Sequence, residues 1–265
     1  MIRIAIAGAA GKMGMRVIAL AHASDRYDLV AALEATGSPE VGRDAGERAG
    51  IGRLHLPIQD RTQTEFDVLI DFTSPAGTMH WLDYCLVARR PIVIGTTGHS
   101  ETELAAIRQA AGTIPIVKSS NMSVGINLLL RLVGQIAGAL GEEYDIEIVE
   151  THHRFKRDAP SGTALAFVEA IVEATGRSRH HDVIHGRHGI LEERPRRQIG
   201  VHALRVGDTI GEHEVHFGNL GETIVLRHSA HTRDTFARGA LRAAEWVVRQ
   251  PPGLYSMQDV LGMSP

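Results

Sequence analysis

The feature that most constrains this chain is its beginning. Ile2, Ile4 and Ile6, interleaved with Ala5 and Ala7, form a short apolar run that stops at Gly8. Gly8, Gly11 and Gly14 then lead into a helical pattern through Met13, Val17, Ile18 and Ala21. A buried strand, a glycine turn and a helix in that order bring backbone N–H groups to the positive helix end, an arrangement suited to a phosphate. The theme continues: apolar runs at 29–33, 67–72, 91–94 and 114–117 alternate with helical stretches at 75–88 and 100–111, while the glycine-rich segment 37–52 reads as loop. Strands alternating with helices predict an α/β, Rossmann-like doubly wound parallel sheet with its ligand at the carboxyl ends of the strands.

After Asn121 the pattern changes. A helix at 124–140 leads to a strand at 144–150, a polar loop and a helix at 161–175. Residues 198–228 are strand-like, with turn signals at Gly207-Asp208, Gly211 and Gly218-Asn219, and read as an antiparallel meander. A final helix at 235–249 is stopped by Pro251-Pro252-Gly253 and is expected to return to the first domain. The division is therefore 1–123 with 234–265 as a dinucleotide-binding domain. Residues 124–233 form a second, α+β domain with a mainly antiparallel sheet.

Several classes of function drop out on composition. With 265 residues, 43% of them hydrophobic, the chain can bury a sizeable core. A net charge of −3 offers no basic footprint for nucleic acid or an anionic membrane. The single cysteine, Cys85, forms no internal disulfide, no apolar run reaches roughly 18 residues, and the apolar start meets Gly8 too soon for a secretory signal. A cytoplasmic protein is expected.

Glu34 closes the second strand, twenty residues after Gly14, where an acid accepts hydrogen bonds from the ribose hydroxyls of NAD. It would repel a 2′-phosphate, and Ala35 offers that phosphate no cation. NADH is thus the expected preference, with Lys12 the residue that leaves NADPH in play.

The densest polar cluster runs from Thr151 to Thr163 between a strand and a helix. Ser161 reads as a helix N-cap, with Gly162 and Thr163 in the first turn, where the helix dipole favours a carboxylate. His153, Arg154, Lys156 and Arg157 add positive charge, so a small dicarboxylate is the expected partner. Metal is set aside: neighbours in extended chain point to opposite sides, so His152 and His153 make a poor pair, and neither His180-His181 nor His213 to His216 carries the spacing of a closed site.

The stretch HHRFKRDAPSGTAL, His152 to Leu165, resembles the substrate signature of the 4-hydroxy-tetrahydrodipicolinate reductase family. GAAGKMG, VGRDAGERAG, DFTSPAGT, IGTTG, SSNMSVGIN and TFARGALRAAEWV follow the family's order along nearly the whole chain. The resemblance implies NAD(P)H-dependent reduction of a dicarboxylate ring in diaminopimelate and lysine biosynthesis, with loss of water, by a homotetramer whose second domain, 124–233, serves substrate binding and oligomerisation. It implies His152 as acid/base and Lys156 as proton donor, with His153, Ser161, Gly162 and Thr163 at the substrate. On the cofactor side it implies Gly8, Ala9, Ala10, Gly11, Lys12, Met13 and Glu34. Gly95, Thr96, Thr97, Ser119, Ser120, Asn121 and Met122 join them, with Arg233 and Phe236 from the C-terminal segment. Ala35 departs from members that place an arginine there. Another two-domain dehydrogenase or an idle NAD-binding sensor would share the first half of the chain, and the residues from 152 to 163 distinguish them.

Overall fold

The computed structural model describes Met1–Met263. In chain order the elements are β1 (Ile2–Ala7), α1 (Lys12–His22), β2 (Tyr27–Leu33), α2 (Ala45–Ala49), β3 (Ile58–Gln59), β4 (Val68–Asp71), α3 (Pro75–Ala88), β5 (Ile92–Ile94), α4 (Glu101–Ala110), β6 (Pro115–Lys118) and α5 (Val124–Leu140). Next come β7 (Asp145–His152), α6 (Gly162–Thr175), β8 (Val183–His185), β9 (Ile199–Arg205), β10 (Gly211–Asn219) and β11 (Glu222–Ala230), and then α7 (Asp234–Val247), β12 (Gly253–Tyr255) and α8 (Met257–Val260). The chain divides into two compact units: Met1–Val124 with the segment from Arg233 onward, and Gly125–Thr232.

The first unit is built on a parallel sheet of order β12-β6-β5-β4-β1-β2-β3. Alternation along β1 decides what each face touches: Ile4 and Ile6 join a core with Val17 and Ile18 of α1, while Ala5 and Ala7 join another with Trp81 and Leu82 of α3 and Ile107 of α4. The sheet is therefore covered on both faces, as its continuous apolar strands require. The returning helix α7 lies beside α1, and its small residues permit close contact. A Cβ on Gly239 would fall 1.7 Å from the carbonyl oxygen of Met122, so glycine is obligatory there. Arg16 of α1 clamps Asp234 at the start of α7 through two bonds of 2.6 and 2.8 Å.

The second unit holds a sheet of order β11-β10-β7-β9-β8, covered by α5 and α6 through Ile126, Val133, Phe167 and Ile171. It is mixed: β10 is antiparallel to β11 and β7, whereas β9 is parallel to β7 and β8. The meander expected over 198–228 is thus interrupted. β9 and β10 do not form a hairpin; the turn between them crosses the end of β7, where Val206 N–H bonds the His152 carbonyl and Arg154 N–H bonds the Gly207 carbonyl. Glycine turn signals mark a reversal of the chain without saying which strand will lie alongside.

Local features also differ from the sequence reading, which does not include the short elements β3, β8, β12 and α8. The stretch 37–52 contains α2, capped by Asp44, whose carboxylate accepts from the N–H groups of Gly46, Glu47, Leu54 and Leu56 and so ties the segment into one turn. Residues Val124–Glu143 are long and apolar enough, by length and composition, to cross a membrane. Here Ile126, Val133 and Ala137 of α5 serve instead as core of the second unit.

Candidate functional site

In the first unit the carboxyl ends of β1, β2 and β4 border a cleft of about 540 Å³, lined among others by Gly8, Gly11, Glu34, Thr73 and His80. The glycines are dictated by geometry. Gly8 has φ +79° and a Cβ there would lie 2.4 Å from the Phe72 carbonyl oxygen, while a Cβ on Gly14 would lie 2.0 Å from that of Gly8. Strand, loop and helix are therefore in backbone contact. Asp44, Ser74, Ser100, Ser161 and Ser256 cap α2, α3, α4, α6 and α8, whereas Gly11 of α1, like Arg233 of α7, makes no side-chain cap. The first turn of α1 is thereby open to an anion, and the glycine loop before it has the form that fits a dinucleotide pyrophosphate.

Glu34 stands beside this loop. Its Oε1 accepts from Ala10 N–H at 2.9 Å and its Oε2 from Ala35 N–H at 3.3 Å. Both bonds come from neutral backbone donors, so the acid is oriented with its charge uncompensated. Asp60 lines the same cleft. Asp71, the last residue of β4, is fully buried and accepts from the hydroxyls of Thr73 and Thr78 at 2.5 Å and from Thr73 N–H at 3.0 Å. Burial pushes its carboxyl up, against the opposing pull of those hydrogen bonds.

Among the other expected cofactor residues, Gly95, Thr96 and Thr97 follow β5, and the buried Thr96 accepts from Thr73 N–H at 2.9 Å, tying two strand ends together. Ser119 to Met122 follow β6: the Ser119 hydroxyl donates to the Asn121 carbonyl, Asn121 Oδ1 accepts from Ser123 N–H, and Met122 is buried under α7. Arg233 is the N-cap of α7 and Phe236 packs half-buried in its first turn. All of these belong to the first unit.

In the second unit the polar loop follows β7. Along that strand Ile146, Ile148 and Glu150 occupy one buried face. Glu150 thus carries a carboxylate into a core position, where it collects four donors. Its Oε2 receives His152 Nδ1 at 2.5 Å and Arg205 Nη1 at 2.9 Å, and its Oε1 receives Arg205 Nη2 at 2.9 Å and Ser161 N–H at 3.1 Å. Burial alone would raise this carboxyl, but the bonds from His152 and Arg205 hold it down at about 2.

His213 of β10 sits opposite Glu150 in the ladder, with its ring edge-on to His152 at 5.2 Å and Nε2 3.2 Å from Ser161 Oγ. Burial, reinforced by the neighbouring His152, pushes it down to about 3. The sequence assigns no role to Glu150 or Arg205, and it weighs His213 only as a metal ligand. The signal that could have found Glu150 is a carboxylate continuing the alternation of Ile146 and Ile148.

Of the expected substrate residues, Ser161, Gly162 and Thr163 make the start of α6. Ser161 is buried, its N–H on Glu150 and its Oγ accepting from Ala164 N–H at 3.2 Å, so its polar atoms serve the protein itself. Gly162 and Thr163 form the first turn; a Cβ on Gly162 would meet nothing within 4 Å, so protein packing does not demand this glycine. Nδ1 of His153 is buried without a hydrogen-bond partner among the described residues. Lys156 Nζ lies 2.9 and 2.8 Å from the two carboxylate oxygens of Asp158.

Comparison with known proteins agrees along the whole chain. Residues 2–122 match the family model described as dihydrodipicolinate reductase, N-terminus, and residues 125–261 match the corresponding C-terminus. A 4-hydroxy-tetrahydrodipicolinate reductase of Alkalilimnicola ehrlichii is 49% identical over 264 residues, covering 98% of this chain and 99% of that protein. One from Syntrophus aciditrophicus is 46% identical over 265 residues, covering 99% of each. Among solved structures, the dipicolinate-bound dihydrodipicolinate reductase from Paenisporosarcina sp. TG-14 superposes with a TM-score of 0.73 at 23% identity, covering 98% of both chains. An amine dehydrogenase from Mycobacterium smegmatis shares the fold at a TM-score of 0.64 and 14% identity, covering 97% of this chain and 95% of its own.

Proposed function

The chain belongs to the dihydrodipicolinate reductase family, and from that premise we propose how its residues divide the work. The reaction is the NAD(P)H-dependent reduction of 4-hydroxy-tetrahydrodipicolinate to tetrahydrodipicolinate with loss of water, in diaminopimelate and lysine biosynthesis. The bound dihydronicotinamide supplies the hydride. The observation that carries the division of roles is the Glu150–His152 pair, whose buried carboxylate bonds the N-cap residue of α6: a histidine held for proton transfer next to a place for a carboxylate.

In this reading His152 acts as acid and base and Lys156 donates a proton to the ring. Asp158 occupies two of the three ammonium hydrogens and leaves the third for substrate. The dipole of α6, with the backbone of Gly162 and Thr163, receives one ring carboxylate, and the unsatisfied Nδ1 of His153 meets the substrate as well. The open space at Gly162 then belongs to the ligand.

On the nucleotide side, the glycine loop and the uncapped end of α1 hold the pyrophosphate, and Glu34 holds the adenosine ribose. Glu34 and Asp60 together oppose a 2′-phosphate, and Ala35 supplies no cation, so NADH is the preferred cofactor and NADPH the weaker one. The 95–97 and 119–122 loops, with Arg233 and Phe236, complete the nucleotide site. We place the enzyme in the cytoplasm, where reduced nicotinamide is supplied.

A homotetramer is proposed to form through the second unit. The edge strand β11 exposes Ile224 and Val225, an apolar edge that pairing with another copy would cover. Light scattering should give about four times 28.7 kDa, and a monomer at micromolar concentration would refute the assembly.

Variants test the roles. His152→Gln and Lys156→Arg should lower kcat by roughly 10² to 10⁴ with NADH affinity unchanged, since arginine keeps its charge but holds its proton. Thr163→Val should raise KM first. Near-normal kcat in both proton-transfer variants would leave the loop a binding element only.

A further inference from the structure

Resting on the assignment of proton chemistry to His152, we infer that Glu150 is the positioning residue of the site: one of its oxygens fixes the tautomer and orientation of His152, and the other fixes the N-terminal turn of α6. An ionised carboxylate only accepts hydrogen bonds, so the 2.5 Å contact to His152 Nδ1 places a proton on that nitrogen. Nε2 is left to exchange a proton with substrate. A second observation agrees: a Cβ on Gly211 would fall 3.1 Å from His152 Nε2, so the absence of a side chain at Gly211 keeps room at that nitrogen.

The other oxygen accepts the Ser161 N–H at 3.1 Å, one residue before the turn proposed to bind a ring carboxylate. The same rigid group therefore sets where the acid points and where the substrate anion rests. Arg205 spans both oxygens at 2.9 Å and anchors its guanidinium on the carbonyls of Leu204 and Asp158, which keeps the buried carboxylate charged. Each contact arises from strand register. Glu150 and His152 share a face of β7, Arg205 pairs with His152 from β9, and His213 pairs with Glu150 from β10.

The charged and titratable groups around His152 are thus Glu150 on its own strand, Arg205 on β9 and His213 on β10, with Lys156 and Asp158 in the loop that follows and His228 behind His213 on β11. His213, neutral at working pH and bonded to Ser161, does not compete for the proton.

Glu150→Gln keeps the shape and removes the charge, and its amide N–H₂ can donate to Nδ1, favouring the opposite tautomer. The expected result is a fall of about 100-fold in kcat, a typical effect of losing an orienting partner. KM should stay within about threefold, NADH affinity by fluorescence should be unchanged, and the alkaline limb of the rate profile should move to lower pH. In ¹⁵N spectra of the histidine rings, assigned against His152→Gln, the Nδ1–H form of His152 should give way to Nε2–H. An unchanged kcat, a loss confined to KM, or a kcat loss with both tautomer and pH profile unmoved would overturn the inference. Should Glu150→Gln fail to fold, Glu150→Gln/Arg205→Met removes charge and countercharge together and is read in the same way. If the wild-type chain fails to turn over, the functional reading fails, and the ring spectra still decide the role of Glu150.

Discussion

Each unit of this chain buries a carboxylate at or near the carboxyl end of a strand, Asp71 on β4 and Glu150 on β7, and the two are held in opposite ways. Asp71 receives threonine hydroxyls and a backbone N–H, all neutral, and burial pushes it up. Glu150 receives a histidine and an arginine, and despite its burial it is drawn down to about 2. Under the proposed division of roles, the difference separates a scaffold from a reaction centre. Asp71 shapes the loop that borders the cleft of the first unit, where a neutral acid would accept some of the same bonds. In the proposed role Glu150 has value only while charged, because its charge orients His152, the group to which proton transfer is assigned.

The contrast can be broken most forcefully with glycines. Gly14→Ala drives a Cβ to 2.0 Å from a carbonyl oxygen and should cost about 3 kcal/mol or more, or prevent the first unit from folding. Gly162→Ala meets no protein atom and should leave thermal stability within about 1 kcal/mol while raising KM for the ring substrate several-fold. Equal melting temperatures for the two variants would contradict the division between packing glycine and binding glycine.

Smaller is the effect of exchanging each buried acid for its amide. Glu150→Gln leaves Arg205 without its countercharge and should destabilise by about 3 kcal/mol, whereas Asp71→Asn, among hydroxyls that can reverse their bonds, should cost about 1 kcal/mol. Chemical denaturation at pH 7 measures both, and the reverse order would erase the comparison.

Acid sharpens it further. A carboxyl held below its unfolded value contributes stability that is complete above that value and lost as pH falls through the folded one, so Glu150, and Glu147 with its Arg187 and Arg194 partners, lose their contributions between about pH 4.5 and 2. Asp71, raised in the fold, works the other way: its contribution is present below its unfolded value and fades as pH rises through the folded one. Hydrogen exchange from pH 6 down to 3 should show amides of β7 and β9 losing protection before those of β1 and β4; simultaneous loss would count against it. The smallest effect is cofactor choice. NADH should match or exceed NADPH in kcat/KM, and a preference for NADPH above about tenfold, worth about 1.4 kcal/mol, would contradict the reading of Glu34 and Ala35.

The two units also differed in how legible they were. The five inner strands of the parallel sheet could be read because each is a local apolar run between a helix and a turn, whereas the edge strands β3 and β12, two and three residues long, carry no such run; the helix at Pro75–Ala88 follows from its proline, its Ser74 cap and its length. The second sheet was legible as elements but not as pairings, since β7 enters between β9 and β10 through contacts far apart in sequence. The site divides similarly. His152 to Thr163 lie on one loop and announce themselves by density of charge, but Arg205 and His213 reach Glu150 only through strand register. The short helix at Ala45–Ala49 escaped because a five-residue helix held by one aspartate has too few turns for a period.

The account stands most directly on turnover by the intact wild-type protein. Pyruvate and aspartate semialdehyde, condensed by an excess of the aldol-type synthase that joins them, supply the hydroxylated ring continuously, and NADH absorbance is followed after this protein is added. The account predicts stoichiometric NADH oxidation that requires both precursors and is reduced roughly 10²-fold or more by His152→Gln. No NADH or NADPH oxidation above the protein-free rate, or oxidation that His152→Gln leaves intact, would contradict it.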